Sequence, residues 1–461
     1  MPTLYIPELL YLDGLFRSGM GILVGDDGTI LRIGADLASE GMEVIGMPGK
    51  AVLPGLVNGH SHTFQRLIRG VAEHCGPNGD DFWAWRNTMY NAAASLTPAD
   101  LYDVARMAFL EMALSGVTAV GEFHYVHRQK DGSPYDDPNL LAKRVIDAAT
   151  SVGLRICLLR VAYERAGYQL PPNPGQRRFY ESCDEYLENA SLLLEHLGKG
   201  PSTVSMGTAP HSIRAAALDS IERIAAWSSE HELPIHLHMA EQTAEIAACE
   251  REYGLSPIRL LSDKGLLSGR MTLVHAIHTV PSEVDALAAA GVTICSCPTT
   301  ERNLGDGIIA ADQAIAAGVP FSFGSDSQAT INLLEDAREL DYHLRLKQQR
   351  RVLLDGIEQE DMSARLFRYA TAGGAKSLQL RTGQLQAGRP ADFFSVDLDD
   401  VSIAGASAEE LLPTIVFSLE RTAIRDVVVD GRAVVREGQH WDEGEIISRY
   451  RNVTHRLYAK G

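Results

Sequence analysis

The sequence predicts a (β/α)₈ TIM barrel carrying a small β-sandwich domain formed from both termini. Three observations predict it. A long middle region alternates helical stretches with short β-rich runs that follow glycine, those runs number eight, and two β-rich ends of a different texture flank them.

The amino-terminal end, residues 1–52, places short apolar runs between Gly and Asp turns. Gly21 to Val24, the turn Asp26-Asp27-Gly28 and Ile30 to Ile33 spell a hairpin. In the middle, Thr97 to Ser115 shows the helical half of a βα unit. Thr97 can cap, Pro98 suits the first turn, Asp100 completes a capping box, and Leu101, Val104, Ala105, Ala108 and Met112 form one apolar stripe before Gly116. The strands expected are Val52 to His62, Val117 to Tyr125, Leu154 to Ala162, Val204 to His211, Pro234 to Glu241, Met271 to His278, Val292 to Cys297 and Pro320 to Asp326. That count places the barrel at residues 53–375. The β texture returns after Gly383, with Ala391 to Asp397, Ile424 to Val429 and Ala433 to Val435, so 376–461 should complete the small domain and end the chain.

Composition bounds the function. Lys plus Arg number 42 against 60 Asp plus Glu, a formal net charge of −18, which argues against nucleic acid as a partner. The six cysteines, Cys75, Cys157, Cys183, Cys249, Cys295 and Cys297, are too few for a disulfide framework and suit a reducing cytoplasm. Met1 to Phe16 carries Glu8 and Asp13 rather than a basic leader, and no run of about 18 apolar residues occurs, so neither a signal peptide nor a membrane span is expected.

Histidines gather at the carboxyl ends of the expected strands, the face where barrel enzymes build their sites. His60 and His62 close the first strand with both side chains on one face, an arrangement that can chelate one metal. The fifth ends in His236-Leu-His-Met-Ala-Glu241, the sixth contains His275-Ala-Ile-His278, and the eighth ends in Gly324-Ser-Asp326-Ser. We assign His60, His62, His238 and Asp326 as ligands. Three imidazoles and a carboxylate suit Zn²⁺, with Fe²⁺ the alternative, and such a site acidifies water toward roughly pH 7. The third and fourth strands hold no lysine that could be carbamylated to bridge a second ion, so one metal per subunit is expected. Glu241 stands three residues after His238 as general acid/base, and His275 can polarise the bond under attack. Asp326 would share in handling the water's protons. His236 and His278 read as packing groups.

These motifs resemble the amidohydrolase superfamily and, within it, the N-formimidoyl-L-glutamate deiminases of histidine breakdown. The resemblance spans nearly the whole chain. It is carried by His60-Ser-His-Thr-Phe-Gln-Arg66, Phe82-Trp-Ala-Trp-Arg86, Glu122-Phe-His-Tyr-Val-His127, Gly175-Gln-Arg-Arg-Phe179, His211-Ser-Ile-Arg214, His238-Met-Ala-Glu-Gln242, Leu273-Val-His-Ala276, Thr299-Thr-Glu-Arg-Asn-Leu-Gly-Asp-Gly307 and Gly324-Ser-Asp-Ser327. It implies zinc-dependent hydrolysis of formimidoylglutamate to N-formyl-L-glutamate and ammonia, by a protein that is commonly a homodimer. It also implies substrate contacts from Gln65, Arg86, Tyr125, His211 and Arg214.

The arginines make chemical sense, because a dianion bound by a chain of net charge −18 needs local guanidinium groups, which can grip carboxylates bidentately. Gln65 and Tyr125 can orient the formimino group or a carboxylate. Trp83 and Trp85 read as packing against the site wall, and Arg177 and Arg178 as solvated or salt-bridged charges. The cysteines are read as lying outside the site. Two positions depart from the resemblance: Arg302 stands where a small residue is common, and Gln328 where a histidine or similar residue often follows Asp326. Both are placed in site loops, where they bear on how the glutamate moiety is held. The alternatives are a deaminase or chlorohydrolase acting on an aminated heterocycle such as guanine, which paired arginines disfavour, and a non-catalytic barrel scaffold, which a complete ligand set disfavours.

Overall fold

Gly55 is where the chain changes sheets. The computed structural model describes residues 1–37, 41–73 and 82–458; Cys75 and the side chain of Trp83 lie outside what is described. The single strand expected over Val52 to His62 is two strands. Glu43–Pro54 belongs to the terminal sheet and Leu56–Ser61 opens the barrel. A Cβ at Gly55 would fall 2.1 Å from Thr118 Oγ1, so only glycine fits the crossing.

The barrel sheet has eight strands in sequence order: Leu56–Ser61, Val117–His124, Arg155–Ala162, Val204–Pro210, Ile235–Met239, Met271–His275, Thr293–Ser296 and Phe321–Phe323. Every neighbouring pair is parallel. Helices return the chain between them, and Pro98–Leu114 begins with the expected Thr97/Asp100 capping box. The strands are buried along nearly their whole length, as both faces of a barrel wall require.

Among the described residues the termini form one sheet of nine strands, of which the short Leu15–Arg17 pairs only with Thr3–Leu12. Glu43–Pro54 lies at its centre, parallel to Thr3–Leu12 on one side and antiparallel to Phe393–Asp397 on the other. The N-terminal hairpin, Gly21–Val24 with Ile30–Gly34, extends one side, and Ile424–Val429, Arg432–Arg436 and Gln439–His440 extend the other. The last helix, Glu443–Tyr458, packs back on the barrel. Arg106 pairs with Asp442 and Glu445, and Arg66 Nη1 donates to Tyr450 Oη at 3.1 Å. Among the described residues no helix is long and apolar enough to cross a membrane.

Burial of neutral histidines gives the fold a pH signature. Burial pushes His127 down to about 4 and His236 down to about 4; Nε2 of the first donates to Val161 O and that of the second to Ser377 O. In the unfolded chain the same groups take a proton near 6.5. Between those values the unfolded chain binds more protons, so stability is full above about 6.5 and declines as pH falls toward about 4. The Tm of chelator-treated protein should therefore be lower at pH 5 than at pH 7.5; a flat or opposite trend would contradict this burial.

Candidate functional site

The barrel closes through the ligand residues themselves. Its first and eighth strands meet at one parallel bridge, Ser61 with Asp326. Asp326 N donates to His60 O at 3.1 Å and His62 N to Asp326 O at 3.0 Å. Closure therefore fixes the histidines of strand one against the carboxylate that follows strand eight. Asp326 (φ 43°) and His275 (φ 75°) both lie at positive φ, a strain that recurs at functional residues.

Donor atoms of His60, His62, His238 and Asp326 all lie within 4.8 Å of one another, and all four residues are buried. Nε2 of His62 is 3.1 Å from Nε2 of His60 and 3.4 Å from that of His238; Asp326 Oδ1 is 3.4 Å from His60 Nε2 and 3.2 Å from His62 Nε2. His62 Nδ1 donates to Phe123 O at 2.9 Å and His238 Nδ1 to His211 O at 3.2 Å, which leaves each Nε2 lone pair for a metal. His60 Nδ1 has no partner. Burial drives His60 down to about 3, and burial with the neighbouring imidazoles drives His238 well below the usual histidine range, so both are neutral donors. Burial opposes ionisation of Asp326, yet the close His60 and His62 rings, with His275 beyond them, hold it well below the usual carboxylate range. A neutral-imidazole, anionic-carboxylate set of this kind fits one zinc ion.

Glu241 and His275 stand at the rim of the cluster. His275 Nε2 lies 3.8 Å from Glu241 Oε1 and 3.6 Å from Asp326 Oδ2, with no hydrogen-bond partner of its own. Its Nδ1 is 3.3 Å from Glu301 Oε1. Burial alone would lower its pKa, but Glu241, Glu301 and Asp326 raise it well above the ordinary value and favour the imidazolium. Burial raises the Glu241 carboxyl, against the pull of His275. A carboxyl and an imidazolium so placed can exchange protons with groups at the cluster.

Beside it opens a narrow cavity whose lining includes His62, His238, Glu241 and Asp326. Its remaining walls include Gln65, Arg86, Tyr125, His211 and Arg214, the five positions inferred for substrate, together with Trp85. Gln65 Nε2 donates to Tyr125 Oη at 2.8 Å while Gln65 Oε1 is buried without a partner. Among the described residues Arg214 makes no ion pair, and its buried Nε lacks a partner. Two nearby carboxyls carry less negative charge than free ones would. Burial raises Asp306, just past the lining residue Leu304, to about 9 and Glu245 to about 7.

Several sequence readings are corrected. Arg302 is on the surface, paired with Glu335 and Glu339, and Gln328 is fully buried, with Nε2 donating to Ser61 Oγ and Oε1 accepting from Ser325 Oγ. Neither lines the cavity, so neither departure bears on it directly. Arg178 is no surface charge: it is buried, donating to the carbonyls of Ala93, Leu96 and Arg128, and so anchors the end of the helix Phe82–Ser95 that carries Arg86. Cys297 Sγ lies within 4.8 Å of donor atoms of His275 and Asp326, nearer the site than expected, though burial keeps its thiol protonated.

Two buried carboxylates escaped sequence reasoning although both stand in quoted motifs. Glu301 faces His275. Glu122 accepts from Ser61 Oγ, Thr63 N and Thr63 Oγ1 at 2.7–2.8 Å and so holds the turn around His62. His236 and His278 bond to backbone carbonyls, as packing groups do.

The amidohydrolase family pattern matches residues 51–434. A formimidoylglutamate deiminase of Pseudomonas aeruginosa is 39% identical over 447 residues, 96% of either chain. A 5-methylthioadenosine/S-adenosylhomocysteine deaminase of Pyrococcus horikoshii is 27% identical over 450 residues, 96% of this chain and 97% of that one. Among solved structures, an amidohydrolase from Brucella melitensis superposes with a TM-score of 0.90 at 32% identity, covering 99% of both chains.

Proposed function

The chain belongs to the amidohydrolase family, and on that premise we propose that it is a zinc-dependent enzyme that hydrolyses N-formimidoyl-L-glutamate to N-formyl-L-glutamate and ammonia, a step of histidine degradation. The observation that carries the substrate is Arg214, which has no ion pair among the described residues and faces the same cavity as Arg86 in a chain of net charge −18. An arginine left without a carboxylate beside an acid/base pair is matched by a ligand that brings its own. The relative of 39% identity supports the same choice.

His60, His62, His238 and Asp326 would hold the ion, which when bound supplies a Lewis acid that makes water nucleophilic near neutral pH. Water adds to the formimino carbon, the C=N nitrogen leaves as ammonia, and the formyl C=O remains. Glu241 takes one proton from the attacking water and passes it to the imine nitrogen; the second leaves the resulting hydroxyl as C=O forms, handled by Asp326 and Glu241, and reaches the same nitrogen, so ammonia departs with both. His275, as imidazolium held by Glu301, faces Glu241 and Asp326 and hydrogen-bonds charge that builds between them. Arg86 and Arg214 grip the carboxylates, and Gln65, Tyr125 and His211 orient the rest.

The test is metal-dependent ammonia release from formimidoyl-L-glutamate, with 5-methylthioadenosine and guanine as comparison substrates. The aromatic wall of Trp85, Tyr90, Tyr125 and Phe179 and the 27% identical deaminase both favour a ring substrate, so turnover of a heterocycle alone would replace this reading. Arg214→Met should cost about 2–5 kcal/mol in kcat/KM, mostly through KM, as removal of one partner from a buried charge pair does. Arg302→Ala should leave the kinetics unchanged, because that side chain pairs with Glu335 and Glu339 on the surface.

A further inference from the structure

We propose that Tyr163, a residue given no role so far, donates a hydrogen bond from its hydroxyl to a substrate carboxylate, and that Gln176 is the positioning residue that turns the hydroxyl toward it. The inference rests on the dicarboxylate reading above. It comes from counting hydrogens around one atom.

Tyr163 is 2% exposed, lines the cavity, and packs edge-on against His211 with ring centroids 4.8 Å apart. Its oxygen accepts from Arg86 Nη2 at 2.9 Å and from Gln176 Nε2 at 2.6 Å. A phenol oxygen has two lone pairs and one hydrogen, so both acceptor places are filled and what remains is the O–H, which has the neutral Tyr90 hydroxyl beside it as an acceptor until an anion offers a stronger one. The orientation of Gln176 is set from behind. Asn173 N donates to Tyr180 Oη at 3.1 Å, and Tyr180 Oη donates to Gln176 Oε1 at 2.6 Å. The amide NH₂ of Gln176 therefore points forward, to Tyr163 and to Tyr90 Oη at 2.6 Å.

With Arg86 and Gln176 both donating to it, the Tyr163 hydroxyl is polarised to donate in turn. The cavity end that it shares with Arg86 suits an acceptor of negative charge. A carboxylate placed there takes one bond from the guanidinium and one from the phenol. A neutral substrate arm offers no better acceptor than the Tyr90 hydroxyl, whereas a carboxylate draws the O–H to itself, which makes Tyr163 a specificity residue as well as a binding one.

The experiment compares wild-type holoenzyme with Tyr163→Phe on formimidoyl-L-glutamate and on two analogues, one lacking the α-carboxylate and one lacking the side-chain carboxylate. Loss of one hydrogen bond to a charged group should lower kcat/KM for the full substrate about 10- to 100-fold, chiefly through KM. On the analogue that lacks the carboxylate held by Tyr163, the same substitution should have no further effect. An equal loss on all three substrates, or none on any, overturns the assignment.

Equilibrium binding of glutarate separates this from failure of the parent reading. If wild-type enzyme does not turn over formimidoylglutamate yet binds glutarate, only the reaction has been misread, and weaker glutarate binding by Tyr163→Phe still supports the carboxylate contact. If it does neither, both readings fall. Gln176→Glu, which keeps the size but gives up the NH₂ group, should reproduce the substrate-dependent loss seen with Tyr163→Phe; normal kinetics would remove Gln176 from the account.

Discussion

Glu241→Gln should lower kcat for ammonia release by about 10²–10⁴-fold, the range general acid–base catalysis supplies, while zinc content stays at that of the wild type. The two halves of that expectation have separate causes. Glutamine keeps the shape of the side chain and can still hydrogen-bond, but it can neither take a proton from water nor deliver one to the leaving nitrogen. Glu241 also stands outside the four-residue ligand cluster, so its charge is not needed to hold the ion. Its Oε1 lies 3.8 Å from His275 Nε2, and burial raises its carboxyl pKa, as suits a group that must carry a proton for part of the cycle. Turnover within a few-fold of wild type in a zinc-replete variant would refute the role. Loss of zinc along with turnover would make Glu241 a metal-holding group instead.

The residues that could be read in advance share a property: their signal is local. His60 and His62 declare themselves by a spacing of two at a strand end, Glu241 by its distance from His238, and the eight barrel strands by short apolar runs after glycine. Alternation tells which face a side chain takes, but it does not tell what stands opposite. Glu301, on the helix after strand seven, meets His275 at the end of strand six, and Glu122 on strand two meets Thr63 just past strand one, so neither could be given a task from its own neighbourhood.

Arg178 and Tyr163 were hidden for the same reason. An Arg-Arg pair in a polar stretch looks solvated until the carbonyls of Ala93 and Leu96 are placed around one of them. The strand break at Gly55 was missed because Val52 to His62 is continuously β-rich, and the cause of the break, contact with Thr118, lies in the next strand. Arg302 and Gln328 failed in the opposite direction. Sequence position put them in site loops, whereas one pairs with a surface helix and the other turns inward to Ser61 and Ser325.

His238→Ala should give the complementary defect: bound zinc well below one per chain after dialysis against a weak chelator, and ammonia release near background. Three donors remain, but His60 and His62 sit together on strand one, and Asp326 is tied to them by the closing bridge. His238 is the donor that strand five contributes from the far side of the cluster. Its removal leaves a one-sided site. Binding then weakens without abolishing the proton-handling groups, so excess zinc should recover part of the turnover in His238→Ala and none in Glu241→Gln. The same neutral imidazole also leaves a lone pair for a cation, since burial and its neighbours hold the His238 pKa well below the usual histidine range. Full zinc stoichiometry in His238→Ala would place the ion elsewhere, and the cluster of His275, Cys297 and Asp326 would be the first place to look. Recovery by excess zinc in both variants would mean that Glu241 and His238 serve one task, which the separation of the two roles forbids.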